Sequence, residues 1–300
     1  MENKYITEIK KLKNLNILEQ VSLKKYTSFR LNTIASLIIF PENIDSLVEL
    51  LKYLKENNLK YKIIGNGSNL IFVNDIYDGV LIKLDNLKQM SINDTVIKVG
   101  AGYSLIKLAS DACKNSLSGL EFASGIPGTV GGAVFMNAGA YKSDMGYVVS
   151  EIKVLDPNFE VKTLYNKDLD FHYRYSFLQK NRDYICLEAT IVLKHGHKKD
   201  IEELMEERKK RRIMSQPLEY PSAGSVFRNP EGDFAGRLIE AIGYKNKHIN
   251  DAYVSDKHAN FIVNKGEATG KDIKNLIDDV KAKVKKEFGI ELKAEQEFVE

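Results

Sequence analysis

Two glycine-rich segments carry the residue types best suited to holding an anion. Gly65-Asn66-Gly67-Ser68-Asn69 follows a short apolar run, and Gly125-Ile126-Pro127-Gly128-Thr129-Val130-Gly131-Gly132 lies within a longer uncharged stretch. Glycine allows positive φ and close approach of backbone to a ligand. Successive small residues can turn several N–H groups toward one charge, and Ser68 and Asn69 add side-chain hydrogen bonds. Either segment alone reads equally well as a tight turn. Together they point to a dinucleotide whose pyrophosphate lies between two subdomains. Neither has the G-x-G-x-x-G spacing of a Rossmann site, and no G-x-x-x-x-G-K-[ST] phosphate loop occurs.

Other chemistries are disfavoured. The five histidines show no metal-ligand spacing, and His195-Gly196-His197 reads as a turn, so no metal is expected. Cys113 and Cys186 are the only cysteines, far apart, and read as buried thiols of a reducing compartment. Lys plus Arg number 44 against 41 Asp plus Glu, a net charge of +3. That excess is too small to mark a nucleic-acid or membrane-surface protein, though it suits an enzyme of anionic substrates. The segment Phe122 to Tyr141 is uncharged for the length of a membrane span, but its five glycines, Pro127 and Asn137 suit a binding loop better. The first residues lack the apolar core of a signal peptide. A soluble, cytoplasmic protein is expected.

The elements that must position these loops are mixed. Ile6, Ile9, Leu12 and Leu15 predict an N-terminal helix, and Leu37–Phe40 a strand closed by Pro41. Asn43 caps a predicted helix with Leu47, Leu50, Leu51 and Leu54 on one side. Tyr61–Ile64 is a predicted strand running into the first glycine loop. Further strands are expected near 80–84, 96–99, 149–155, 161–164 and 185–193, with a helix from Ser104 to Cys113. After Asp200, four glutamates precede Lys209, Lys210, Arg211 and Arg212. Acid first and base last suits the helix dipole, and this run reads as a solvated helix joining two domains. A smaller α+β unit follows, ending in a helix from Thr269 to Phe288 and a last strand. The expected borders are 1–80, 81–198 and 199–300.

Specific motifs add to this. Gly65-Asn66-Gly67-Ser68-Asn69-Leu70, the run from Gly125 to Ala133, and Asn137-Ala138-Gly139-Ala140-Tyr141 closely resemble the UDP-N-acetylenolpyruvoylglucosamine reductase (MurB) family. So do Tyr173-Arg174-Tyr175-Ser176, the run Ser222 to Pro230, and Lys257 to Asn264. The resemblance extends from about Thr27 to Phe298 and is to the shorter, type II branch. It implies an α+β protein: a two-subdomain FAD-binding fold like that of p-cresol methylhydroxylase and vanillyl-alcohol oxidase, followed by a C-terminal α+β substrate domain. It also implies noncovalent FAD, NADPH as hydride donor, and a UDP-amino-sugar enolpyruvyl ether as substrate, in peptidoglycan synthesis. A monomer without nucleic-acid or membrane partners is expected.

By the same resemblance, FAD would be held by Gly65, Asn66, Gly67, Ser68, Asn69, Gly125, Ile126, Pro127, Gly128, Thr129, Gly131, Gly132, Ala133, Asn137 and Gly139. Arg174 would polarise the substrate carboxylate, a task suited to a permanently charged, bidentate side chain. Ser225 would protonate the enolate carbon, and Glu295 would help to stabilise the intermediate. Glu297 is the alternative carboxylate, since residues two apart in a strand point the same way. Asn229 and His258 are candidate substrate contacts. Arg211, Arg212 and Arg228 are candidates for the UDP pyrophosphate. The competing readings are a carbon-oxidising flavoprotein oxidase of the same fold and a nucleotide-sugar binding protein without a flavin.

Overall fold

Leucine spacing and a polar cap produce the helix Ile44–Glu56. Asn43 accepts a hydrogen bond from the Ser46 N–H, while the Ser46 hydroxyl accepts from the Asn43 N–H. Such a cap stabilises by about 1 kcal/mol. Leu47, Leu50, Leu51 and Leu54 are buried, each contributing roughly 1.5–3 kcal/mol of apolar transfer. The computed structural model describes residues 2–300, and they form two units. The first comprises the chain through Glu19, Leu37–Asn66 and Gly79–Lys210; the second comprises Gln20–Ser36, Gly67–Asp78 and Arg211–Glu300.

In the first unit a five-stranded antiparallel sheet runs in the order Val161–Tyr165, Val149–Leu155, Ile185–Val192, Val96–Gly100 and Met90–Asn93. The helices Leu105–Lys114 and Val130–Met136 follow, the first where the sequence suggests a helix from Ser104, with Ser104 as its cap. Tyr61–Ile64 pairs in parallel with Val80–Lys83 at the edge of a four-stranded sheet that also holds Leu15–Ser22 and Ile34–Pro41. One apolar core serves this unit, with Leu37, Val80, Ile97, Leu108, Val130, Ile152 and Ile191 fully buried. Cys186 lies in it, and burial pushes its thiol up to about 12, so it is unreactive.

The second unit has a separate core around Phe29, Ile71, Phe227, Leu238, Ile273, Leu276 and Ile277. Its antiparallel sheet is His248–Ile249, Ala252–Val254 and Ile262–Asn264. The helix Gly270–Phe288 begins with a capping box between Thr269 and Asp272 and ends at the left-handed Gly289. Leu70–Phe72 pairs in parallel with the last strand, Glu297–Val299.

Three expectations need correction. The N-terminal helix covers only Asn3–Ile9; Asn14 turns with φ 56°, and Leu15 opens a strand that periodicity did not show. The residues through position 80 do not form one subdomain, because 20–36 and 67–78 cluster with the C-terminal part. No border falls at 199: the helix Lys198–Ser215 spans it, and the division lies between Lys210 and Arg211. That helix buries only Ile201 and is polar all round, as expected of a connecting helix. Among the described residues no helix is long and apolar enough to cross a membrane.

Candidate functional site

Within the first unit, Gly65 at the start of the first glycine loop meets the second loop. A Cβ on Gly65 would stand 2.6 Å from the Thr129 hydroxyl oxygen, so only glycine allows this approach. Thr129 is buried and starts the helix Val130–Met136, its hydroxyl accepting from the Gly132 N–H. A Cβ on Gly131 would meet that of Ala101 at 2.9 Å, which holds the arc against the strand end. The cradle is narrower than the sequence suggests. The amides of Ile126, Val130 and Gly131 donate to the carbonyls of Ala123, Tyr103 and Ala101, and they are committed inside the protein. Gly132 is exposed, as are Pro127 and Asn66, and a Cβ on Gly132 would lie 3.4 Å from the Thr129 hydroxyl.

Arg174 sits on a two-residue hairpin closed by reciprocal backbone bonds between His172 and Tyr175. Its φ is 56°, a left-handed conformation that an arginine rarely adopts, so its surroundings must hold it. They do so at several points. Its guanidinium donates to the Gly139 carbonyl at 2.9 Å and lies over the Tyr173 ring. Its own carbonyl accepts from Gln179, which also donates to Phe135. Buried Ser176 donates to the same Phe135 carbonyl at 2.7 Å. Asn137 is 1% exposed; its amide donates to the His172 carbonyl and accepts from the Gly146 N–H. Asn137 thus ties the arginine hairpin to the end of the glycine-rich helix.

Ser225 and Glu295 belong to the second unit and lie on neighbouring segments. Phe227 pairs with Ala294, the Glu295 N–H donates to the Val226 carbonyl at 2.8 Å, and the Arg228 N–H to that of Lys293 at 3.0 Å. On its other side Ser225 pairs with Phe261. Three side chains lock this ribbon, and sequence reasoning gave none of them that part. Buried Asn260 grips Phe227 twice, accepting from its N–H at 3.0 Å and donating to its carbonyl at 2.8 Å. Buried Gln296 donates to the carbonyls of Ala223 and Gly224. Asn69, expected at the cofactor, donates to the Glu295 carbonyl, while its own carbonyl accepts from the Glu297 N–H. Runs of buried-type amides beside the serine and glutamate motifs were the available signal; their partners lie too far along the chain to be read.

Asn229 is exposed and its side-chain oxygen accepts from the Ala235 N–H, at the start of the helix Ala235–Ala241. Arg228 presents a buried Nε with no hydrogen-bond partner. Arg212 bonds Gln216 at 3.1 Å. His258 accepts the Asn260 N–H on Nδ1, which assigns its proton to Nε2. Burial holds its pKa below the ordinary 6.5. The unfolded chain therefore takes up a proton there before the folded one does, so stability is full above about pH 6.5 and falls on acidification. Urea unfolding followed by circular dichroism should show a lower midpoint at pH 5 than at pH 7.5, with a smaller difference in His258→Gln.

Comparison with known proteins places these segments. Residues 216–299 match the model of the UDP-N-acetylenolpyruvoylglucosamine reductase C-terminal domain, and residues 35–165 match an FAD binding domain. The UDP-N-acetylenolpyruvoylglucosamine reductase of Anoxybacillus flavithermus is 44% identical over 282 residues, 94% of this chain and 93% of its own. That of Bacillus subtilis is 39% identical over 297 residues, 99% of this chain and 98% of its own. The crystal structure of the enzyme from Thermus caldophilus superposes with a TM-score of 0.81 at 31% identity, covering 95% of this chain and 99% of that one.

Proposed function

The chain belongs to the UDP-N-acetylenolpyruvoylglucosamine reductase family, and from that premise we propose how its residues divide the reaction. The protein is an FAD-dependent oxidoreductase that reduces the enolpyruvyl ether of UDP-N-acetylglucosamine in peptidoglycan precursor synthesis, with NADPH as reductant. Both organic partners are charged nucleotides, and the reaction belongs in the cytoplasm. The glycine arc suits the flavin dinucleotide, because the close packing of Gly65 on Thr129 leaves Asn66, Pro127 and Gly132 exposed along it. Residues 65–69, 125–129 and 131–133 would hold it, with Asn137 and Gly139 beside them. When bound, FAD supplies the hydride relay between NADPH and the substrate alkene.

The remaining tasks fall to this chain. Hydride arriving at the terminal vinyl carbon drives negative charge into the adjoining carbon and carboxylate. Arg174 binds that carboxylate through parallel N–H bonds and stabilises the charge as it develops. The Ser225 hydroxyl delivers the proton to the carbon next to the carboxylate; serine is a weak acid, but the acceptor is strongly basic. Glu295 acts with Arg174 on the intermediate. Asn229 and His258 contact the sugar nucleotide, and the unpartnered Arg228 Nε suits its pyrophosphate.

The observation that carries this reading is the ribbon on which Ser225 lies one residue from the partner of Glu295, fixed by Asn260 and Gln296. Turnover with NADPH in deuterium oxide tests it. The lactyl product should carry solvent deuterium at C2, where the proton is delivered, whereas any label in its methyl group also reflects exchange of the reduced flavin N–H with solvent. A product without deuterium at C2 would overturn the assignment of the proton. A flavoprotein oxidase would instead leave the enolpyruvyl group unreduced.

A further inference from the structure

Beside the first glycine loop the protein keeps a buried cation for which the reaction has no use. Lys83 ends the strand Ile76–Lys83, opposite Ile64 at the end of the parallel strand Tyr61–Ile64. Its side chain is only 5% exposed. Removing an ammonium from water is costly unless partners replace its hydration. The partners are the Gly65 carbonyl, 2.6 Å from Nζ, and the Asp85 carboxylate at 3.3 Å. The Asp85 side chain is 43% exposed, but the oxygen that faces Lys83 is itself buried and has no hydrogen-bond partner, so the ion pair compensates the ammonium incompletely. Burial accordingly pulls the Lys83 pKa down, and Asp85, the charged group facing it, pulls it back up. An apolar side chain of the same length would fill this space without that cost.

We propose that Lys83 is a positioning residue for the FAD pyrophosphate, its ammonium holding the Gly65 carbonyl inward beneath the loop. In a trans peptide the C=O and N–H point in opposite directions. Fixing the Gly65 carbonyl on Lys83 therefore aims the Asn66 N–H away from the core, on the loop's other side. The buried charge also adds a positive field there, where low dielectric keeps it effective. The diphosphate supplies a second anion beside the Asp85 carboxylate, whose facing oxygen makes no hydrogen bond. This inference rests on the FAD reading above.

Flavin affinity tests it, measured by fluorescence quenching on the full chain stripped of its cofactor, with FAD and riboflavin compared. Lys83→Met should weaken FAD roughly 10- to 100-fold, the span of one hydrogen bond to a charged group, and leave riboflavin, which has no phosphate, within twofold. Lys83→Gln, which keeps a donor for Gly65 without the charge, should also lose FAD affinity, and it replaces the Met variant if that one does not fold. Lys83→Arg should restore most of the binding. FAD affinity unchanged in both neutral variants would overturn the proposal, as would equal weakening of FAD and riboflavin. A wild-type chain that binds neither flavin would instead sink the FAD reading itself.

Discussion

Ser225→Ala should slow the step in which substrate is reduced by about 10²–10⁴-fold, the usual worth of a positioned general acid, and leave reduction of the enzyme by NADPH nearly unchanged. The asymmetry follows from the chemistry. A proton is needed only when carbon has accepted hydride, so the hydroxyl has no part in the first half-reaction. Stability should change little, because Ser225 keeps its place through backbone pairing with Phe261 and through the grip of Asn260 on Phe227. Stopped-flow traces of the two half-reactions separate the outcomes. Equal slowing of both would mean that the substitution disturbs the flavin site and that the assigned role is wrong.

Arg174→Ala should cost about 10²–10³-fold in the same step, comparable to removing a donor from an oxyanion site. Arg174→Lys should recover only a fraction of this, since a point charge cannot make the two parallel bonds of a guanidinium. The backbone provides a control. Arg174 adopts φ 56°, a conformation that costs about 1–3 kcal/mol for such a residue and persists only where the surroundings enforce it. Arg174→Gly should therefore match or exceed the wild type in thermal midpoint while losing as much activity as Arg174→Ala. A Gly variant that kept its rate would remove Arg174 from the chemistry.

Local signals were readable wherever cause and effect lie within a few residues. Asn43 caps the helix expected of it, the helices expected to begin at Ser104 and Thr269 start there with those residues as caps, and Tyr61–Ile64 and Val149–Leu155 are strands with the expected bounds. Leu15–Ser22 escaped because Glu19 and Gln20 are exposed on a strand with little alternation, and Leu12 and Leu15 mimicked another helical turn. The two units were not readable as domains because each is assembled from three separate stretches of chain. The same limit governs the site. Glycine loops announce themselves by composition, but the internal bonds of Val130 and Gly131 do not. Asn69, Asn260 and Gln296 act on partners 226, 33 and 73 residues away. Their type shows only that they can bond two ways. Position shows what they hold.

Glu295 and Glu297 illustrate the remaining ambiguity at the C-terminus. Both are half-buried, and Asn69 bonds the backbone of each, through the Glu295 carbonyl and the Glu297 N–H. Asn69 therefore fixes the segment that offers either carboxylate. Glu295 pairs directly with Val226, the residue after Ser225, which favours it as the group acting beside the serine.

Sequential mixing under anaerobic conditions bears most directly on the claim that this chain passes hydride through FAD to an enolpyruvyl sugar. The purified protein should show oxidised flavin absorbance, lose it on mixing with NADPH, and regain it on mixing with UDP-N-acetylglucosamine enolpyruvate as the lactyl ether forms. A reduced protein that oxygen reoxidises rapidly and the enolpyruvyl sugar leaves bleached would contradict the account, and so would a colourless protein that FAD cannot restore.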